Sequence, residues 1–182
     1  MNDALIFLLR ALVDLYLLAL LLRLLLQAVR ADFYNPVSQF IVRITDPVTA
    51  PLRRVLPAAG RLDIATLVVL VALQIGATAM LVAMGGFTQP DPAALVYFAL
   101  LRLTMLVLRL YFFAILIYVI LSWVGRDLNN PVVRLLAAVV EPLLAPVRRV
   151  LPSVGGLDLS PLVVLLLLQA LMIALPLPGL LR

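Results

Sequence analysis

The stretch NPVSQFIVRITDPVTAPLRRVLPAAGRLDIATLVVLVALQ, residues 35–74, recurs 95 residues later as NPVVRLLAAVVEPLLAPVRRVLPSVGGLDLSPLVVLLLLQ, residues 130–169, with no gap between the copies. Asn35-Pro36-Val37 falls on Asn130-Pro131-Val132, and Pro47 on Pro142 with Asp46 over Glu141. Arg53-Arg54-Val55-Leu56-Pro57 falls on Arg148-Arg149-Val150-Leu151-Pro152, Asp63 on Asp158, and Gln74 on Gln169. Shared leucine and valine content can imitate apolar matches. It cannot imitate a common register of Pro, Arg-Arg, Asp and Gln. The chain is therefore two copies of one unit.

Each copy is flanked by long apolar runs. Of 182 residues, 65% are hydrophobic and 13% are charged, with a mean hydropathy of +1.21. That charge content is about half the globular norm. A spanning helix needs roughly 20 apolar residues, and four runs qualify, at about 4–29, 64–84, 93–124 and 159–175. The expected fold is an all-α membrane protein with four transmembrane helices in two repeats, residues 1–89 and 90–182. The first run has no basic leader and no small-residue cleavage site, so it reads as a retained span.

Arginine placement gives the topology. The loop inside unit one carries Arg30, Arg43, Arg53, Arg54 and Arg61, and that inside unit two carries Arg126, Arg134, Arg148 and Arg149. The linker around Pro90-Asp91-Pro92 carries none. Both loops should face the cytoplasm, with the termini outside. Each unit then crosses twice, so the repeats are parallel, related by an axis along the membrane normal.

The loops contain structure of their own. Asn35 and Asn130 are good N-caps, each followed by Pro at the first helical position. Val37, Phe40, Ile41 and Ile44, and then Val132, Leu135, Leu136 and Val139, follow helical spacing. Short amphipathic helices are expected at about 36–45 and 131–141, lying in the interface or docked on the spans. Pro47, Pro51 and Pro57 should then stop the helix and hold Arg53-Arg54 on an extended turn.

All 14 basic residues are Arg, and the chain has no Cys and no His. Disulfides, Cys/His zinc sites, histidine-dependent triads and lysine Schiff bases cannot be built. No catalytic residue, metal or cofactor is expected. The formal charge of +5 sits beside apolar spans, which points to anionic headgroups rather than nucleic acid.

Four sets of residues are candidates for function. Arg53, Arg54, Arg148 and Arg149 could bind lipid phosphates or an acidic partner, or act only as topology anchors. Asp63 and Asp158 stand directly before spans, as helix caps or as coupling carboxylates. Asp14 and Arg109 occupy equivalent repeat positions inside spans, where charge is functional by default. They could pair with each other, or Asp14 with Arg10 one turn away, while Arg10 and Arg102 should snorkel outward. Gln74 and Gln169 should lie at mid-bilayer facing the bundle interior, in an interhelical hydrogen bond or along a polar pathway.

The run from Leu121-Ser122-Trp123 through Asn130-Pro131, Glu141-Pro142-Leu143-Leu144-Ala145-Pro146-Val147-Arg148-Arg149 and Gly155-Gly156-Leu157-Asp158-Leu159-Ser160-Pro161 to Gln169 resembles the signature of the YggT family of small membrane proteins. Unit one resembles it more weakly, with Ala28 where Trp123 stands, Arg61 for Gly156 and Ala65-Thr66 for Ser160-Pro161. The resemblance implies a multi-pass protein of the bacterial inner membrane, linked to cell division, the envelope or osmotic stress. In chloroplast relatives it implies links to cytochrome assembly and nucleoid organisation. Without His or Cys, direct haem ligation by those side chains does not carry over. The expected function is a non-enzymatic scaffold or assembly factor whose basic cytoplasmic face engages lipids, protein partners or a second copy. The alternative is a small channel or transporter tied to osmotic stress.

Overall fold

The computed structural model describes residues 3–56, 62–84, 91–124, 130–151 and 158–181. Among them are six α-helices: α1 (Asp3–Ala28), α2 (Pro36–Arg53), α3 (Ile64–Met84), α4 (Pro92–Val124), α5 (Pro131–Val150) and α6 (Ser160–Ala174). A 3-10 turn at Gly179–Leu181 follows. The helices α1, α3 and α4 are long and apolar enough to cross a membrane. The fourth apolar helix, α6, has 15 residues, about 22 Å at the helical rise.

Within each unit the three helices pack on one another, and α3 against α4 joins the units. Leu17, Leu20, Leu24, Ile41, Val69 and Leu70 form the core of unit one, which reaches Leu135 and Val139 of α5. Ile115, Val140, Leu144, Val164 and Leu168 form that of unit two. Leu177 and Leu181 fold back onto Leu81, Val82 and Met105. The outward faces of α1 and α6 carry Phe7, Leu8, Leu12 and Leu15, and Leu162, Leu166, Leu167 and Leu171, all exposed. Such faces suit hydrocarbon rather than water.

The caps form as their sequence predicts. Asn35 and Asn130 adopt nearly the same extended backbone (φ −61°, ψ 131° and φ −63°, ψ 122°). Each Oδ1 accepts from the N–H two residues on, at 2.9 Å. Asn35 does more, because its Nδ2 donates to the Pro131 carbonyl at 2.6 Å and ties α2 to α5. Upstream, α1 closes with Ala31 N–H donating to Leu26 O and Arg30 at φ 54°. This is the left-handed position that glycine usually fills.

The loop helices are longer than their sequence suggests. α2 runs through Pro47 and Pro51, and α5 through Pro142 and Pro146. Each proline removes one N–H from the ladder. Spaced one turn apart, all four lie on exposed faces, away from the packed stripe. The arginine pairs therefore end helices instead of sitting on an extended turn. The buried stripe of α2 also differs from the apolar pattern, being Ser38, Ile41, Thr45 and Thr49, while Phe40 is exposed. Thr45 and Thr49 donate their hydroxyls to the carbonyls of Ile41 and Thr45, at 2.6 and 3.1 Å. Back-bonded in this way, small polar side chains satisfy themselves and pack closely.

Asn130→Ala should cost about 1 kcal/mol, the usual value of a cap. Asn35→Ala should cost about 1 kcal/mol more, because it also removes the bond to Pro131. Unfolding of the two variants in detergent would measure the difference; equal losses would contradict the bridging role.

Candidate functional site

The carboxylate before α3 gathers most of the polar groups of unit one. Asp63 is 2% exposed, and its Oδ1 accepts from the Thr66 N–H at 3.2 Å. Its Oδ2 accepts from Thr66 Oγ1 at 2.6 Å and from Arg53 Nε at 2.9 Å, with a second, very short contact to the same guanidinium. Arg53 reaches Asp46 one side, at 3.5 Å. Arg23, buried in α1, joins from the other, 2.6 Å from Asp46 and 3.9 Å from Asp63, while donating to Thr45 Oγ1. Two guanidinium groups thus meet two carboxylates. Burial alone would raise the Asp63 carboxyl, but the hydrogen bonds from Arg53 and Thr66 outweigh it and hold it below the ordinary carboxylate range.

Unit two repeats this clamp in the open. Arg148 lies 2.7 Å from Asp158 and 2.8 Å from Glu141, and Asp158 accepts from the Ser160 N–H at 2.9 Å. Burial pushes the Asp158 carboxyl up, but the Arg148 and Ser160 bonds bring it net below its usual value. The hydrogen bond to Asp158 raises Arg148 in turn. Tyr118 stands where the repeat would place an equivalent of Arg23. The four arginines grouped by sequence therefore divide. Arg53 and Arg148 are clamp residues, while Arg54 and Arg149 are exposed at the helix ends. Asp63 caps α3 through the Thr66 N–H, whereas Asp158 stands one residue before the Leu159 N-cap of α6 and accepts from the Ser160 N–H.

A second polar cluster lies between α1, α3 and α4. Arg10, Asp14, Gln74, Arg102 and Arg109 line a cavity of about 70 Å³, with Leu181 at its edge. The partner of Asp14 is not Arg109 but Arg102, at 3.1 Å, with Arg10 at 3.7 Å. Nor does Arg102 snorkel. It is 7% exposed, and it donates to Thr78 Oγ1 at 3.4 Å. Thr78 in turn donates to the Gln74 carbonyl at 2.8 Å. Arg102 was the residue that sequence undervalued; its spacing of seven from Arg109 puts both on one stripe of α4.

The two glutamines part company. Gln74 faces the interior as expected, and its Nε2 is buried without a hydrogen-bond partner. Gln169 instead is exposed, on an outer groove of about 280 Å³ shared with Arg109, Phe112, Phe113 and Met172. The expectation that both amides face the interior fails for Gln169, because α6 turns its stripe of Leu162, Leu166, Gln169 and Ile173 outward. Among the described residues, no three His, Cys, Asp or Glu side chains converge as metal ligands.

The CCB3/YggT family model matches residues 2–84 and 97–178, one match in each unit. A Pseudomonas aeruginosa protein, named only as uncharacterised, is 45% identical over 93% of this chain and 86% of its own length. A Vibrio alginolyticus protein is 42% identical over 90% of this chain and 88% of its own. The Escherichia coli protein named uncharacterised protein YggT is 40% identical over 91% and 86%. No solved structure matches.

Asp14→Ala should destabilise by about 3 kcal/mol, since it leaves the buried Arg102 without its counter-charge. Exchanging Asp14 with Arg102 should recover much of that loss, and exchanging Asp14 with Arg109 should not. Unfolding of the three variants in detergent checks the partner directly.

Proposed function

The chain belongs to the CCB3/YggT family, and on that premise we propose that it is a non-enzymatic scaffold or assembly factor of the bacterial inner membrane. In this reading α6 is the fourth span, completed by local thinning of the bilayer around its short apolar length. The units form parallel repeats, with α2 and α5 on the cytoplasmic face and both termini outside. Support comes from the exposed leucines of α6 and from its packing on α4, which parallels that of α3 on α1.

The observation that carries the functional reading is the clamp and its repetition. Arg53 and Arg148 are consumed in fixing α2 and α5 to the starts of α3 and α6. Arg43, Arg54, Arg134 and Arg149 are left exposed on the same layer. The result is a stiff cationic platform at headgroup level. Each Arg near an anionic leaflet contributes about 1 kcal/mol of attraction, and the same charges suit the acidic face of a protein partner or a second copy. The processes served would be those of the envelope, division or osmotic stress.

A small channel or transporter linked to osmotic stress is the second reading. The polar cavity around Gln74 is the specific observation in its favour. Photo-crosslinkers placed at positions 54 and 149 in native membranes, run beside an ion-flux assay in liposomes, separate the two. The scaffold reading expects discrete adducts that weaken when the neighbouring exposed Arg43 and Arg134 are replaced by Gln, with flux at the level of protein-free vesicles. Flux that Asp14→Asn abolishes would overturn it in favour of transport.

A further inference from the structure

We propose that the cavity between α1, α3 and α4 is a binding site for a small inorganic anion of chloride size, held by Arg102, Arg109 and the Gln74 amide. It shares its location with the transport reading but does not depend on it, since equilibrium binding requires no flux.

The charge count comes first. One carboxylate, Asp14, faces three guanidinium groups across the cavity, and it is already shared between Arg10 and Arg102. With Arg10 set aside, Arg102 and Arg109 still outnumber it, and no carboxylate among the described residues pairs with Arg109. Asp14, Gln74 and Arg102 lie well inside their helices, at spanning depth. A cation at that depth requires a counter-charge or water. Among the described residues, the side chains around the cavity therefore carry an excess of positive charge.

The second observation is independent of charge. Gln74 is 2% exposed and lines the cavity, and its Nε2 has no acceptor. An N–H donor sealed from water is costly unless something accepts from it. The partner that this donor lacks is an acceptor, as an anion is. Thr78 orders this corner by bonding both the Gln74 carbonyl and Arg102.

Size selects the ligand. A volume of about 70 Å³ admits chloride, bromide or nitrate, given that one water needs roughly 10–15 Å³ on the same kind of measure. A whole lipid headgroup or sugar phosphate exceeds that volume. Arg109 also lines the outer groove with Gln169, so a single guanidinium borders both spaces and marks the lateral approach. Asp14 holds Arg102 in place and moderates the charge, which keeps binding reversible.

Radiolabelled chloride binding to the purified full chain, exchanged into gluconate and read by scintillation proximity, tests this. Saturable binding approaching one chloride per chain is expected, displaced by bromide and nitrate and not by gluconate. Arg109→Gln and Gln74→Leu should each weaken it about tenfold or more, Arg109→Lys should retain it, and Arg54→Gln should leave it unchanged. Helicity and elution volume establish that each variant is folded. Chloride should also raise the unfolding temperature of the unsubstituted chain above its value in gluconate at equal ionic strength, a readout free of substitution. Binding should persist in nanodiscs of phosphatidylglycerol; displacement of chloride by that lipid would assign the site to a lipid phosphate and overturn the small-anion proposal. Absence of saturable binding, or binding untouched in folded Arg109→Gln and Gln74→Leu, would overturn it as well.

Discussion

The contact between Arg53, at the end of α2, and Asp63, directly before α3, is the joint on which unit one turns. A carboxylate that is 2% exposed cannot remain ionised without donors, and here it receives them from both directions. Thr66 supplies the donors of the helix start, and Arg53 supplies those of α2. The consequence is mechanical. The nine residues between Arg53 and Asp63 are bridged by a bond that fixes the end of α2 against the start of α3. Arg23 and Asp46 extend the joint to α1, so all three helices of the unit meet at one neutralised cluster. Without it, α2 would be held by its packed stripe of Ser38, Ile41, Thr45 and Thr49 and by the Asn35 bond to Pro131.

The second copy keeps the joint and changes its setting. Arg148 binds Asp158 and Glu141, but the partners are roughly a third to a half exposed, and Tyr118 stands at the position of the second cation, Arg23. An exposed ion pair contributes about 0–1 kcal/mol, so α5 depends more on its buried Val139, Val140 and Leu144. The polar partners of the membrane interior have diverged further. Asp14, Thr78 and Arg102 have Arg109, Ile173 and Phe7 as their counterparts. The clamp thus recurs in both copies, while among the described residues the polar cavity around Arg102 draws on α1, α3 and α4.

The bounds of α3 and the two asparagine caps were legible because each rests on local chemistry: an apolar run of spanning length, and an amide beside free N–H groups. The full lengths of α2 and α5 were not. Proline weakens a helix intrinsically, but Pro47 and Pro51 fall on a face that makes no packing contact, and tertiary burial of the opposite stripe carries the helix onward. Ser38, Thr45 and Thr49 were passed over for the same reason: their burial depends on back-bonding and close packing, which an apolar pattern does not encode. Repeat symmetry put Asp14 and Arg109 at one depth, but depth does not fix helix rotation. Arg102 and Arg109 share a stripe, and only the packing of α1 on α3 and α4 decides which one meets Asp14. Gln169 shows the limit of arguing by repeat, because an equivalent position inherits its depth and not its neighbours.

The joint itself is open to direct measurement by a double-mutant cycle. Arg53→Gln, Asp63→Asn and their combination, compared with Arg148→Gln, Asp158→Asn and theirs, would be unfolded in the same detergent. The account predicts a coupling of about 1–3 kcal/mol for the buried pair and about 0–1 kcal/mol for the exposed one. Additivity of Arg53→Gln and Asp63→Asn within about 0.5 kcal/mol would contradict it.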